Sequence, residues 1–144
     1  MSQAPPAPAA PAARTASDRA ICLCCIGRRT ELPVPGGAGY EPDQPLRAID
    51  EGPLRAVVID LDASYLVGAD AADRLESVEW LVPRAERHEA IIAEAARGGP
   101  VIPARFGCVF SGEDPLREML AGHESLLWNA LEQVDGASEF AVRI

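Results

Sequence analysis

Apolar residues run without a break from Ala20 to Ile26, and Gly27, Arg28 and Arg29 close the run. A strand with one wet face alternates, so an unbroken run predicts a strand covered on both faces. Two further apolar runs, residues 46–49 and 54–61, flank Asp50, Glu51, Gly52 and Pro53. Turn formers between two strand-like runs predict a β-hairpin. Between the first run and the hairpin, residues 32–40 read LPVPGGAGY, where Pro and Gly oppose both helix and ladder, so a loop is expected.

Past Asp70 the spacing changes. Leu81, Ala85, His88, Ile92 and Ala95 recur near the helical period, and Gly98, Gly99 and Pro100 end the pattern. Pro83 lacks the amide hydrogen that a helix interior needs, so the main helix is expected to open there, with a shorter turn over residues 75–81 before it. Residues 101–106 form a short apolar segment interrupted by Pro103, which suits a sheet edge, a bulge or a strand end. A second helix is expected after the N-cap candidate Ser111, with an apolar stripe of Leu116, Leu120, His123, Leu127 and Leu131 and a stop at Asp135 and Gly136. Residues 138–144 alternate as a closing strand. This order predicts the α+β class: a mostly antiparallel sheet with helices on one face, in a ferredoxin-like variant.

A chain of 144 residues is long enough for one core. The first nineteen residues hold four Pro and seven Ala and no Leu, Ile, Val or aromatic residue. Residues 1–19 are therefore expected to be a disordered Pro/Ala-rich tail, and residues 20–144 the folded domain. The net charge is −9 and all 13 basic residues are Arg. Nothing forms the basic stripe that a phosphate backbone requires, which argues against a nucleic-acid partner. No apolar run approaches the roughly 20 residues of a membrane helix. The run ending at Ile26 is too short and too late for a secretory signal. No membrane association and a cytoplasmic location are the expectations.

Cys22, Cys24 and Cys25 crowd the first strand, where alternation would put Cys22 and Cys24 on one face and Cys25 on the other. No second Cys pair at metal spacing accompanies them, so they read as small buried apolar residues and no metal is expected. His88 and His123 both fall on apolar stripes. Were their helices side by side, His88 with Cys108 would resemble a base and a nucleophile; histidines on core-facing stripes are more often packed and hydrogen-bonded. Residues 36–39, GGAG, resemble a phosphate cradle but lack the downstream Lys-Ser/Thr and helix start. No catalytic residue, no cofactor and no enzymatic activity are expected. The densest local signal is residues 103–107, PARFG, because a Pro-kinked strand delivering an Arg and a Phe is not needed merely to build a sheet. Arg105, Phe106 and Phe110 are the candidates for contact with a partner, with an ion pair to an acid such as Glu89 as the other reading of Arg105.

Arg87, His88 and Glu89, followed by residues 99–110, GPVIPARFGCVF, make the sequence resemble the gas vesicle GvpF/GvpL family. Its members carry a His-Glu pair on a helix, then a Pro-x-Arg-Phe-Gly segment leading to a Phe. Residues 54–59, the Glu79, Trp80, Leu81 triplet and residues 139–144 match more weakly, so that the resemblance covers residues 20–144. It implies a cytoplasmic assembly factor, located at the gas vesicle, that binds the hydrophobic shell protein or other accessory proteins without catalysis. Two departures stand out: Cys108 replaces what is often a small polar residue, and family members continue into a second domain of comparable size. The alternatives are a stand-alone regulatory or oligomerisation module, or a small enzyme using His88, Cys108 and Arg105.

Overall fold

The computed structural model describes residues 19–136. Strand β1 (Arg19–Arg28) runs through the middle of an antiparallel sheet. On one side of it the hairpin strands β3 (Leu54–Asp62) and β2 (Leu46–Glu51) follow in turn. On the other side β4 (Val101–Pro103) and β5 (Val109–Phe110) pair with successive stretches of the same β1 edge. Pro103 thus stands at a strand end on an outer strand, where a missing ladder donor does least harm. Arg19, assigned by composition to the tail, is the first residue of β1 and lies opposite Asp62. Residues 1–18 of that tail, and the closing strand expected over 138–144, lie outside the described residues.

The expected class holds, an antiparallel sheet with helices, but the single helical face does not. Helix α1 (Ala69–Leu75) and the long helix α2 (Val78–Ala95) belong to one face, and α3 (Glu113–Gly122) and α4 (Glu124–Gly136) to the other. Strand pleating explains why. Along β3, Leu54, Ala56 and Val58 point one way and Val57, Ile59 and Leu61 the other, and every one of them is buried. A sheet apolar on both faces needs a cover on each, which the ferredoxin-like layering does not supply. Leu116, Leu120 and Leu131 cover the first row, and Ile91, Ile92 and Ala95 the second.

One irregularity in β1 reorganises its cysteines. The pairing with β3 steps from Leu23 opposite Val58 to Cys25 opposite Val57, which leaves Cys24 as an extra residue. A bulge of this kind resets the alternation. Cys22, Cys24 and Cys25 therefore all face the α2 side, correcting the expected split. The bulge lies where the partner edge is also interrupted: residues 104–108 leave the sheet between β4 and β5, held by Ala104 N–H to the Cys24 carbonyl and Leu23 N–H to the Cys108 carbonyl, both 2.8 Å.

The hairpin forms as the sequence predicts, with a tighter turn: Glu51 pairs with Leu54 across Gly52 and Pro53. Gly52 takes φ +57, open to glycine at little strain, and Pro53 supplies the fixed negative φ that follows. Helix α2 opens earlier than expected. Ser77 caps it by accepting from the Trp80 amide, and Pro83 sits inside. The carbonyl that loses its donor is that of Glu79, an exposed residue. The second expected helix is two, broken at His123, which leaves helical geometry after Gly122 and is exposed. Gly112 occupies its N-cap, and Ser111 does not.

Candidate functional site

The loop of residues 32–45 lies along α2 and is fastened to it by one row of side chains. Arg84, Arg87 and His88 are three and four residues apart, so they share one side of the helix. Arg84 grips Glu41 at 2.6 Å and also reaches the Tyr65 hydroxyl at 2.9 Å. Arg87 donates to the carbonyls of Ala38 and Gly39 at 2.7 and 3.2 Å. The loop presses so close to β3 that a Cβ at Gly39 would meet Ile59 at 2.4 Å, which leaves room for glycine alone.

His88 is 2% exposed and both ring nitrogens are used. Nε2 lies 2.8 Å from the Ala104 carbonyl, which only accepts, so Nε2 carries the hydrogen. The lone pair of Nδ1 in the neutral ring is then left for the Tyr40 hydroxyl at 2.7 Å, and the Tyr40 oxygen in turn accepts from the Cys22 thiol at 3.4 Å. Burial and the neighbouring thiols push the Tyr40 hydroxyl far above its ordinary pKa, so it keeps the proton it donates. The chain Cys22, Tyr40, His88, Ala104 joins β1, the loop, α2 and the segment after β4 with no polar atom left over.

Aromatic rings gather around it. Tyr40 lies parallel to Tyr65 at 6.3 Å between centroids and 5.0 Å from Phe106, which meets His88 edge-on at 5.7 Å. Tyr65 contacts Trp80 at 5.4 Å, and the Arg84 guanidinium lies over Trp80 at 4.3 Å. Of the seven aromatic residues in the chain, two Trp, two Tyr and three Phe, four stand in this cluster. Hydrogen bonds from the Tyr65 hydroxyl and then from Arg84 hold the Glu41 carboxyl below its ordinary pKa. Burial first, and the bond to Glu41 second, push Tyr65 up to about 12.

Further along α2 the loop draws away and a groove of about 470 Å³ opens. Pro33, Val34, Pro35 and Gly36 form one wall, and Ala90, Ile91, Glu94 and Ala95 the other. Leu46 and Val57 floor it, with Arg87 at the loop end. Val34, on the lip, is 66% exposed.

The three sequence candidates do not form one patch. Arg105 is exposed on the segment that leaves the sheet. Phe106 turns into the aromatic cluster on the α2 side, while Phe110, on β5, packs against the aliphatic core on the α3 and α4 side. Sequence reasoning missed the groove. Its signal was the pair of prolines bracketing Val34 beside a helix with small residues at Ala90 and Ala95, a pattern that reads only as a loop until the helix is placed against it.

A base and nucleophile are not assembled either. His88 spends both nitrogens on the relay, and Cys108 packs against the opposite apolar cluster, where burial raises its pKa. Burial also raises Cys22 and pushes Cys25 up to about 12, so these thiols hold their protons at neutrality. Among the described residues no group of three or more His, Cys, Asp or Glu is arranged to hold a metal, and no helix is long and apolar enough to cross a membrane.

An apolar groove and a pinned aromatic cluster on a two-faced antiparallel sheet thus mark an α+β domain. The chain belongs to the GvpL/GvpF family, described as gas vesicle synthesis protein GvpL/GvpF, which it matches over residues 20–144. It is 29% identical over 129 residues to gas vesicle protein L of Streptomyces sp. (strain CB03234), covering 89% of this chain and 48% of that protein. To gas vesicle protein F of the same strain it is 30% identical over 111 residues, 75% of this chain and 40% of that one. Its fold is similar to the crystal structure of the gas vesicle protein GvpF from Anabaena sp. PCC7120, with a TM-score of 0.59 at 15% identity over 81% of this chain and 44% of that one. The chain thus spans a little under half the length of the relatives it matches.

Proposed function

We propose that the chain is a gas vesicle assembly protein that works by binding, holding the hydrophobic shell protein or other accessory proteins in the cytoplasm while the vesicle is built. The observation that carries this reading is the family match over residues 20–144. The site supports binding over catalysis: its histidine is consumed in a structural relay, its thiols are pushed toward the protonated form, and it presents an open apolar groove. A net charge of −9 keeps such a carrier soluble while it holds an apolar cargo. Arg105 is the exposed candidate, on the segment that leaves the sheet after β4. Phe106 and Phe110 contribute their accessible edges.

The test is co-expression with the shell protein from the same organism and capture on the tagged chain, wild type beside Arg105→Ala, Phe106→Leu and Phe110→Leu. Specific capture by the wild type, weakened in Arg105→Ala with its circular dichroism unchanged, is the expected result. A folded, soluble wild type that captures neither shell protein nor accessory proteins overturns the reading.

A further inference from the structure

We infer that the outer side of α2 docks a basic amphipathic helix of a partner protein, its apolar stripe on Val78, Val82 and Ala85 and its basic side chains against Glu79 and Glu86. The inference rests on the partner-binding reading above and gives it a surface outside the groove and a chemistry. Val78 and Val82 stand on successive turns of α2 and are 70% and 45% exposed, two of the five large apolar side chains left exposed among the described residues. Ala85, three residues on, is half-buried. Steps of four and three residues make the seam of a coiled coil, which a second helix fills and an extended strand, with its period of two, does not. From Val78 to Glu89, where the apolar part ends, the seam runs about 16 Å, three turns of a partner helix.

The charge beside the seam has one sign. Glu79 and Glu86 directly follow Val78 and Ala85, so they stand one heptad apart in a row along the same flank. Both are exposed, and neither side chain makes an ion pair or a hydrogen bond among the described residues. Asp70, Asp73 and Glu76, on and just after α1, are exposed and unpaired in the same way. The arginines of this stretch are spent elsewhere: Arg74 on the carbonyls of Ser64 and Tyr65, Arg84 on Glu41, and Arg87 on the carbonyls of Ala38 and Gly39. Arg105 follows Ala104, which meets His88, and His88 lies about half a turn around the helix from Glu79 and Glu86. An apolar seam beside an acidic row is complementary to an apolar stripe bordered by basic residues. The same row opposes a second copy of the chain, whose Glu79 and Glu86 would meet their like, and an anionic lipid surface.

The experiment uses the full chain and two fluorescent helical peptides a few heptads long, both with leucine along the seam, one with arginine and one with glutamate beside it, followed by anisotropy. The arginine peptide is expected to bind roughly tenfold tighter. Glu79→Arg with Glu86→Arg is expected to reverse that order. Glu118→Arg with Glu132→Arg, the same change in net charge at exposed sites on α3 and α4, is expected to keep it. Val78→Gln with Val82→Gln, both at exposed positions, is expected to weaken the arginine peptide roughly tenfold while circular dichroism is unchanged. Equal affinity for the two peptides, a reversal as complete in the α3 and α4 control, or affinity unmoved in the folded valine variant overturns the inference. Dimerisation of the wild type that the valine variant abolishes gives the face to a second copy and overturns it too. Shell-protein capture separates this face from the partner-binding reading. Equal capture by the wild type and the valine variant overturns the face while partner binding stands. Capture by neither, with the arginine peptide still preferred by the wild type, supports the face and removes the shell protein as its occupant.

Discussion

On the face that α3 and α4 cover, the fully buried side chains are Ile, Leu, Val and Ala; on the face that α2 covers, three thiols, a tyrosine hydroxyl and an imidazole share the interior with the aliphatics. The second face opens into the groove. Aliphatic contacts are non-directional and repack when disturbed, whereas a hydrogen-bonded chain with every partner present has one geometry. The pairing teaches that the two helical layers divide the work. One supplies burial, and the other fixes where the loop of residues 32–45 stands relative to α2, which is what gives the groove its shape.

The hardest blow to that division comes from the aliphatic face. Leu120 is fully buried beside Leu116 and Leu131, so Leu120→Ala is expected to destabilise the chain by about 2–5 kcal/mol. Urea unfolding reads it as a lower midpoint at unchanged slope. A loss under about 1 kcal/mol would place the bulk of the stability elsewhere and break the comparison.

The polar face is tested by deleting one atom. Tyr40→Phe keeps the ring against Tyr65 and Phe106 but strips the hydroxyl, leaving the His88 Nδ1 and the Cys22 thiol buried without their partner. The expected loss is about 1–3 kcal/mol, the penalty for orphaned buried polar groups. It is also expected to loosen the loop, read as faster amide exchange at residues 37–45 than in Leu120→Ala at matched stability. Uniform exchange in the two variants would mean that the relay is ordinary core.

How much of this was legible in the sequence divides along the same line. The aliphatic face was: the unbroken run of β1, the hairpin and the spacing of Leu116, Leu120, Leu127 and Leu131 announce burial by composition and period. That the helices take both faces was implicit in β1 and β3 being apolar on every position, yet strand order alone suggested one helical layer. The bulge at Cys24 was not legible, because it arises where β4 and β5 leave a gap in the partner edge, a tertiary event. Neither was the relay, which joins residues up to 82 apart in sequence, Cys22 to Ala104. His88 was legible as packed, but its partners were not. The break at His123 escaped because Gly122 interrupts a helical period without changing it.

Acid is expected to act on the polar face through Glu41. Its carboxyl is held below the ordinary value by the Tyr65 hydroxyl and by Arg84, so the bonds contribute stability above about pH 4.3, the unfolded value, and the contribution is lost as pH falls through the lower folded one. Glu41→Gln is expected to lower stability at pH 7 by about 1–2 kcal/mol and to unfold less steeply between neutrality and acid than the wild type. Asp50 beside Arg55 and Glu113 beside Arg47 titrate in the same sense, so some acid sensitivity persists in the variant. Parallel acid titrations of the two proteins would detach Glu41 from the clamp.

The smallest stability effect is expected at the groove itself, and it sharpens the comparison most. Gly36 borders open space, and its backbone makes no demand that only glycine meets, so Gly36→Trp is expected to shift stability by no more than about 0.5 kcal/mol. The Tyr40 relay sits outside the groove lining, and its spectroscopic surroundings, the near-ultraviolet signal of Tyr40, Tyr65 and Trp80, are expected to persist. A site made for an occupant is one that can be filled without disturbing the fold. Were Gly36→Trp instead to cost several kcal/mol, the loop would be part of the core, and the groove a packing gap rather than a surface held open.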